Sequence, residues 1–419
     1  MATPASRFGE NKTTMDDIGL SYLTLALSLE RHVEGVVDAY FGPQELKAEV
    51  EAGEPRSLED LARDAVELRR SIRDSDYDAQ RQDYLVAQTR AMAAITRNVA
   101  GEKMRYLEEV ELYFDLTPEL VGESVFEAAH AEIDKLLPGQ GELLERLQAW
   151  EKGLEVRPDR LLSVFERASE EARRRTASLF DLPPGEEVTW ELVEDKPWAA
   201  YNWYRGQYRS AIEVNTDLPS HVHRVLDAVA HEAYPGHHTE AAIKEHRLYR
   251  QGSRAEHAIH ALGPEAALAE GIAVNALSII FSSSDLVAFL RDELCKLAGV
   301  PGDDAERQAA IARAMDALRG VTSNAALLLH RDGQPLDEVK RYVERYLLGS
   351  LGEVDKAMTF IQIPLWRSYP FNYSMGGELV APLLRGRDRV ANFARLLSEP
   401  FIPTQVRQWV AERESSQDT

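Results

Sequence analysis

The chain has 419 residues and a mass of 47.1 kDa, and its 48 Lys and Arg against 70 Asp and Glu give a net charge of −22. So acidic a balance argues against nonspecific association with nucleic acid or an anionic membrane surface and favours a cytoplasmic setting. The single cysteine, Cys295, excludes an intramolecular disulfide and any cysteine-rich zinc module, so a metal would have to be held by His and carboxylate groups.

Residues 1–17 are polar with no apolar core, which predicts that they are not a signal peptide. From Asp16 to about Leu182 apolar residues recur at helix spacing, as in Leu20, Leu23, Leu27 and again in Leu143, Leu144, Leu147, Trp150. The pattern predicts a helical lobe over 1–185, with connections at Phe41-Gly42-Pro43 and Leu137-Pro138-Gly139. Within it, the charge-dense run Glu166–Arg175 reads as a solvated helix face with local ion pairs.

The breaker cluster Asp181-Leu182-Pro183-Pro184-Gly185 marks the start of a second lobe, 186–419, expected to be continuous with the first. Val188–Val193, Trp198–Tyr204 and Gln207–Val214 are short, aromatic or β-branched, and separated by turn-like residues, which predicts a small sheet. Pro219 and Ser220 then open a helix with Val222, Val225, Val229 and Ala233 on one face. Pro264 and Glu265 open the next, and Ala266–Phe281 is apolar nearly all round. Its longest apolar stretch, Gly271–Phe281, is interrupted by Asn275 and Ser278 and falls short of the roughly 20 residues a membrane span requires. From Asp303 onward the pattern is again helical, and the polar end, residues 412–419, is expected to fray.

The densest concentration of metal-binding and acid/base groups is His231-Glu232-Ala233-Tyr234-Pro235-Gly236-His237-His238-Thr239-Glu240. Each residue turns a helix by about 100°, so His231 faces away from the apolar stripe and toward a cleft. A helical zinc site pairs two His one turn apart with a Glu directly after the first. Here the position one turn on is Pro235, which lacks an N–H and clashes with the carbonyl of residue 231. The Pro-Gly pair predicts a bulge of about two residues that lets His237 or His238 reach the place of the second ligand. Glu270, alone on its apolar helix, needs a partner, because a bare buried carboxylate costs on the order of several kcal/mol. A cation held by the upstream imidazoles is the partner expected, with an Arg as the alternative, and Gly271 is expected to let those two helices approach. Asp227 and Glu240 are candidates to orient the ligand imidazoles. Arg205, Arg209 and Arg367 are candidates to meet a substrate carboxylate.

The stretch from His231 to His238, followed by Glu270-Gly271-Ile272-Ala273 and Tyr373-Ser374-Met375-Gly376, resembles the bacterial domain-of-unknown-function 885 family, which is similar to gluzincin metallopeptidases. The resemblance covers the chain from about Trp190 onward. It implies a mainly α, multi-helix gluzincin-like metallohydrolase with a small β-sheet next to the metal-binding helix. It also implies Zn2+ held by His231, Glu270 and one of His237 and His238, with His237 favoured by the Gly-His pair common in helical gluzincins. Glu232 is then the base, and Tyr373 and His238 are the groups that hydrogen-bond the tetrahedral oxyanion. In metallopeptidases of this type an edge strand pairs with the bound peptide, and Tyr208–Asn215 is the segment nominated.

The expected activity is zinc-dependent hydrolysis of peptide amide bonds, in short peptides. The same groups would serve an amidase or deacylase acting on a small non-peptide substrate. A noncatalytic metal-containing binding protein is a third class, against which Glu232 weighs, because a structural site has no use for a base. No nucleic-acid or membrane partner is expected, and the sequence leaves the oligomeric state open.

Overall fold

The computed structural model describes residues 16–196 and 198–417, and the protein is mainly helical. The first fifteen residues, on which the expectation about a signal peptide rests, and residues 418 and 419 of the polar end lie outside them. The helical half consists of α1 (Asp17–Glu30), β1 (Val37–Tyr40), α2 (Gln44–Ala52), α3 (Leu58–Arg73), α4 (Ala79–Val99), α5 (Tyr106–Phe114), α6 (Glu123–Leu136), α7 (Leu143–Lys152) and α8 (Pro158–Ala177). Asp16, Ser57 and Asp78 begin α1, α3 and α4 by accepting backbone N–H groups that the first turn leaves free. In α8, Glu171 accepts from Arg174 and Arg175, the local ion pairs the charge pattern predicts, but the expectation of a wholly solvated face is corrected, because Glu171 is itself buried.

The three predicted strands are present as β2 (Glu187–Val193), β3 (Ala200–Gly206) and β4 (Arg209–Asn215). Their order is β2-β4-β3, with β2 parallel and β3 antiparallel to β4. Tyr208–Asn215 is therefore corrected as a docking edge: both hydrogen-bonding sides of β4 are taken within the sheet. Gln207 and Tyr208 turn the β3–β4 hairpin at φ 55° and 63°, a left-handed pair suited to the twist of the strands. The buried carboxylate of Glu245 accepts both of their N–H groups, at 3.0 and 3.2 Å, which holds two non-glycine residues in that region.

The remaining elements are α9 (Val222–Glu232), α10 (His237–Lys244), β5 (Ile259–Ala261), α11 (Pro264–Ile280), α12 (Ser283–Phe289), α13 (Cys295–Ala298), α14 (Ala305–Met315), α15 (Gly320–His330), α16 (Leu336–Tyr346), α17 (Leu351–Phe360), α18 (Pro370–Val380), α19 (Arg389–Ser398) and α20 (Pro403–Gln417). The end expected to fray is helical through Gln417. β5 pairs antiparallel with β1, joining segments more than 200 residues apart. Among the described residues no single helix is long and apolar enough to cross a membrane.

Two large apolar cores draw on both sides of residue 185, so the breaker cluster, which follows α8 after a short turn, does not divide the interior. One gathers Tyr22, Tyr84 and Tyr113 with Ala267, Ala325 and Phe371. The other gathers Val164, Trp190 and Ile212 with Val229, Ile272 and Phe393. α11 belongs to both, through Ala267 on one side and Leu268 and Ile272 on the other.

Gly271 lets α11 approach α18, and the expectation that it serves the contact with the His231 helix is corrected. A Cβ built on Gly271 would lie 2.4 Å from the carbonyl oxygen of Gly376, and one on Gly376 would lie 2.2 Å from that of Ala267. The two backbones thus touch where any side chain would separate them. Gly271→Ala is expected to destabilise the fold by about 1–3 kcal/mol, the usual range for overpacking a close contact. A urea-unfolding midpoint equal to that of the wild type would show that the helices part without cost.

Candidate metal centre

α9 ends at Glu232 because Pro235 removes the donor and adds the ring that forbid another turn. The N–H groups of Ala233 and Tyr234 both return to the carbonyl of Val229, and that of Gly236 reaches the carbonyl of Ala230 at 2.9 Å. A Cβ on Gly236 would lie 1.9 Å from the carbonyl oxygen of His231, so only glycine allows the chain to fold back this tightly. The result is two separate helices, which corrects the expected bulge within one. Asn202 of β3 fixes the end of α9 by donating to the carbonyl of Glu232 at 2.6 Å.

The turn delivers His237 as the first residue of α10, with its Nε2 3.2 Å from Nε2 of His231 and the two rings nearly perpendicular at 89°. From α11, Oε2 of Glu270 lies 3.3 Å from His231 Nε2 and 3.6 Å from His237 Nε2. Tetrahedral zinc bonded at 2.0–2.1 Å would hold its ligand atoms about 3.3 Å apart, so this spacing fits such an ion. The other oxygen, Oε1, accepts a hydrogen bond of 2.7 Å from Tyr369, whereas Oε2 is buried with no hydrogen-bond partner. Burial would raise the Glu270 pKa, but the His237 and His231 imidazoles outweigh it and hold the carboxyl well below its usual range. Burial likewise opposes charge on His237, but Glu270 lifts its pKa to about 9. The pocket favours positive charge at the point where the three atoms converge.

Glu232 is partly exposed, and its carboxylate has no hydrogen-bond partner among the described residues. Its pKa is raised, first by burial and then by the charges of Glu270 and Asp38, against the opposing pull of His231 and His237. The Tyr373 ring lies along that of His231, 6.3 Å between centroids and 26° between planes. Burial, followed by the charges of Glu270 and Glu232, keeps the Tyr373 hydroxyl protonated far above the usual range. Tyr369 is a site residue that sequence reasoning missed. The available signal was its spacing, one helical turn before Tyr373, at the residue that caps α18.

His238 is corrected. Its ring is fully buried, with Nδ1 2.8 Å from Ser210 Oγ and Nε2 3.0 Å from Glu186 Oε2, and it turns away from the cluster of His231, His237 and Glu270. Glu186 also accepts from Tyr234 at 2.5 Å and Arg173 at 2.7 Å, so His238 belongs to a polar anchor behind the turn. Successive residues of a helix point about 100° apart, and with His237 turned to Glu270 its neighbour turns to the sheet. Asp227 and Glu240 hydrogen-bond neither the His231 nor the His237 imidazole: Asp227 lies 3.7 Å from Arg319, and Glu240 accepts from Lys244 at 2.6 Å. Arg367 is committed to a two-pronged pair with the buried Glu109. Arg209 lies 3.8 Å from Glu187, and Arg205 sits over the Trp203 ring.

Tyr369→Phe is expected to leave the fold intact and weaken zinc binding roughly tenfold, the low end of what loss of a ligand's orienting partner costs. Zinc titration checks this, and an unchanged affinity would mean that Glu270 orients itself. His237→Ala should lose zinc affinity by orders of magnitude. His238→Ala should instead keep zinc stoichiometry and lose about 1–3 kcal/mol of stability, because Glu186 and Ser210 are left short of a buried partner. Thermal unfolding of the two variants beside their zinc titrations separates these roles.

No family model and no curated protein matches the chain. Among solved structures, it aligns over 88% of its length with 70% of a chain described as "putative lipoprotein from Colwellia psychrerythraea", at a TM-score of 0.53 and 14% identity. It also aligns over 94% of its length with 82% of a "putative lipoprotein of unknown function from Shewanella oneidensis", at a TM-score of 0.50 and 12% identity. At such identities the likeness is one of fold, and by that measure the chain shares its helical architecture with these two proteins.

Proposed function

We propose that the chain is a zinc-dependent hydrolase of peptide amide bonds, acting on short peptides, with a gluzincin-like site of the kind its motifs share with the domain-of-unknown-function 885 family. One observation carries the reading: two imidazole nitrogens and an otherwise unpartnered buried carboxylate oxygen converge within 4.8 Å, next to a glutamate free to act as a base. His231, His237 and Glu270 would hold the ion, a nitrogen and oxygen donor set that suits zinc. The ion, when bound, supplies Lewis acidity to a carbonyl and acidifies water.

The chain's own groups divide the remaining work. Glu232 takes a proton from the attacking water and passes it to the leaving amine, and its raised pKa makes it a stronger base than an exposed carboxylate. Tyr373, protonated and beside His231, donates a hydrogen bond to the developing oxyanion, an effect typically worth about 3–4 kcal/mol. Tyr369 keeps Oε1 of Glu270 occupied so that Oε2 stays turned toward the imidazoles.

Elemental analysis of the purified, zinc-reconstituted protein should find about one zinc per chain, since the described residues offer one such ligand set. A peptide-library digest should show cleavage that chelator abolishes. Glu232→Gln should keep the metal and lose nearly all turnover, because shape is preserved and only the base is removed. Near-wild-type activity in that variant would reassign the proton transfer, and a protein that binds no zinc would remove the reading.

A further inference from the structure

Tyr369, whose hydroxyl holds Oε1 of Glu270, stands at a point that α18 does not secure by itself. It is the N-cap residue of that helix and makes no side-chain cap hydrogen bond, and residues 361–368 that lead to it are turns and a bend. Helix ends of this kind fray unless something outside the helix holds them. The support comes from α5. Its buried face consists of Tyr106, Glu109, Val110, Tyr113 and Phe114, the i, i+3, i+4, i+7, i+8 stripe of an amphipathic helix. Three members of that stripe grip three consecutive residues ahead of α18. The Tyr106 hydroxyl donates to the carbonyl of Arg367 at 2.7 Å. Glu109 accepts from both prongs of the Arg367 guanidinium, with Nε at 3.0 Å, and from the Ser368 hydroxyl at 3.1 Å. Phe114 meets the Tyr369 ring edge-on, 5.8 Å between centroids and 88° between planes.

Glu109 is the centre of this grip. It is fully buried, and Asn98 of α4 adds a further donor at 3.2 Å, so both of its oxygens are satisfied. A charge buried among fixed donors is costly to disturb, and it therefore holds its donors as firmly as they hold it. Ser368 is fully buried as well, and its side chain is turned to Glu109. With Arg367 and Ser368 fixed, the next residue starts about 3.8 Å along the chain, and Phe114 sets the plane of its ring. α5 also packs against α11, so one helix braces both elements that the Tyr369–Glu270 hydrogen bond joins.

We propose that Glu109 is a positioning residue of the metal centre: by clamping Arg367 and Ser368 it places the Tyr369 hydroxyl on Oε1 of Glu270 and so keeps Oε2 turned to His231 and His237. The proposal deepens the metallohydrolase reading and rests on the ion-binding part of it, not on the substrate.

Zinc affinity is measured on the full chain by competition with a chromophoric chelator, for the wild type, Glu109→Gln, Ser368→Ala, Tyr369→Phe and each of the first two variants combined with Tyr369→Phe. Thermal unfolding of the metal-free proteins and visible spectra of their Co2+ forms accompany it. Glu109→Gln should weaken zinc binding roughly tenfold, as Tyr369→Phe does, and Ser368→Ala roughly threefold. Neither double variant should lose more than Tyr369→Phe alone, because all of these changes break one linkage. The Co2+ spectrum of Glu109→Gln should move toward that of Tyr369→Phe. Unchanged zinc affinity with lowered thermal stability would reduce Glu109 to a structural clamp and overturn the proposal, as would losses that multiply in the double variants. If Glu109→Gln does not fold, Ser368→Ala, which removes a single hydrogen bond, decides by the same criteria. A wild type that binds no zinc overturns this proposal together with the metal centre. Zinc affinity that depends on Glu109, in a protein that cleaves no peptide, would overturn the hydrolase reading and leave the positioning role standing.

Discussion

A buried carboxylate with one oxygen satisfied and the other bare sets the terms for everything around it. Glu270 lies on α11, which is packed into both cores, so the carboxylate cannot swing out to water without disturbing the interior. The glycine crossing with α18 supplies the Tyr369 hydroxyl for Oε1, and the end of α9 and the start of α10 each supply an imidazole for Oε2. An uncompensated buried charge would be among the most destabilising features a core can hold. The three-way meeting of α9, α10 and α18 on α11 is the arrangement that makes this one tolerable.

The same need for compensation recurs behind the site, where it is met by protein cations. Lys244 is buried between Glu240 and Glu265, at 2.6 and 2.8 Å, and Tyr84 completes the set by donating to Glu265 at 2.5 Å. Burial would raise the Glu265 pKa, yet Lys244 draws it down to about 2. On the sheet side, Glu245 and Glu186 are each surrounded by several donors. These neighbours are closed networks in which each carboxylate meets a cation or several donors, and that is what makes the bare oxygen of Glu270 stand apart.

Much of this was legible in the sequence where the signal is local. The helical periodicity, the three strands, the stop at Pro235 and the oddity of Glu270 on an apolar helix all depend on residues close together in the chain. Contacts across the fold were not legible. β1 and β5 are too short to carry a strand pattern, and each is stabilised by the other. Arg367 reads as a free cation until Glu109 arrives from 258 residues away. The order β2-β4-β3 places the last strand in the middle, which turn signals do not encode. His237 and His238 are equivalent by composition, and only the start of a new helix at residue 237 decides which ring faces the carboxylate. The motif resemblance had kept Tyr373 but passed over Tyr369, whose role shows only once α11 and α18 cross.

The close crossing of α11 and α18 has a consequence during synthesis. Tyr369 follows Glu270 by 99 residues, so the helix bearing the carboxylate leaves the ribosome well before the hydroxyl that holds it. At ordinary elongation rates that interval is on the order of 5–20 s. Throughout it the Gly271 face of α11 is an open apolar seam with no helix against it. The nascent chain has therefore made both histidines and the glutamate before it can fix their geometry, and a complete centre waits for nearly the last helices to be made.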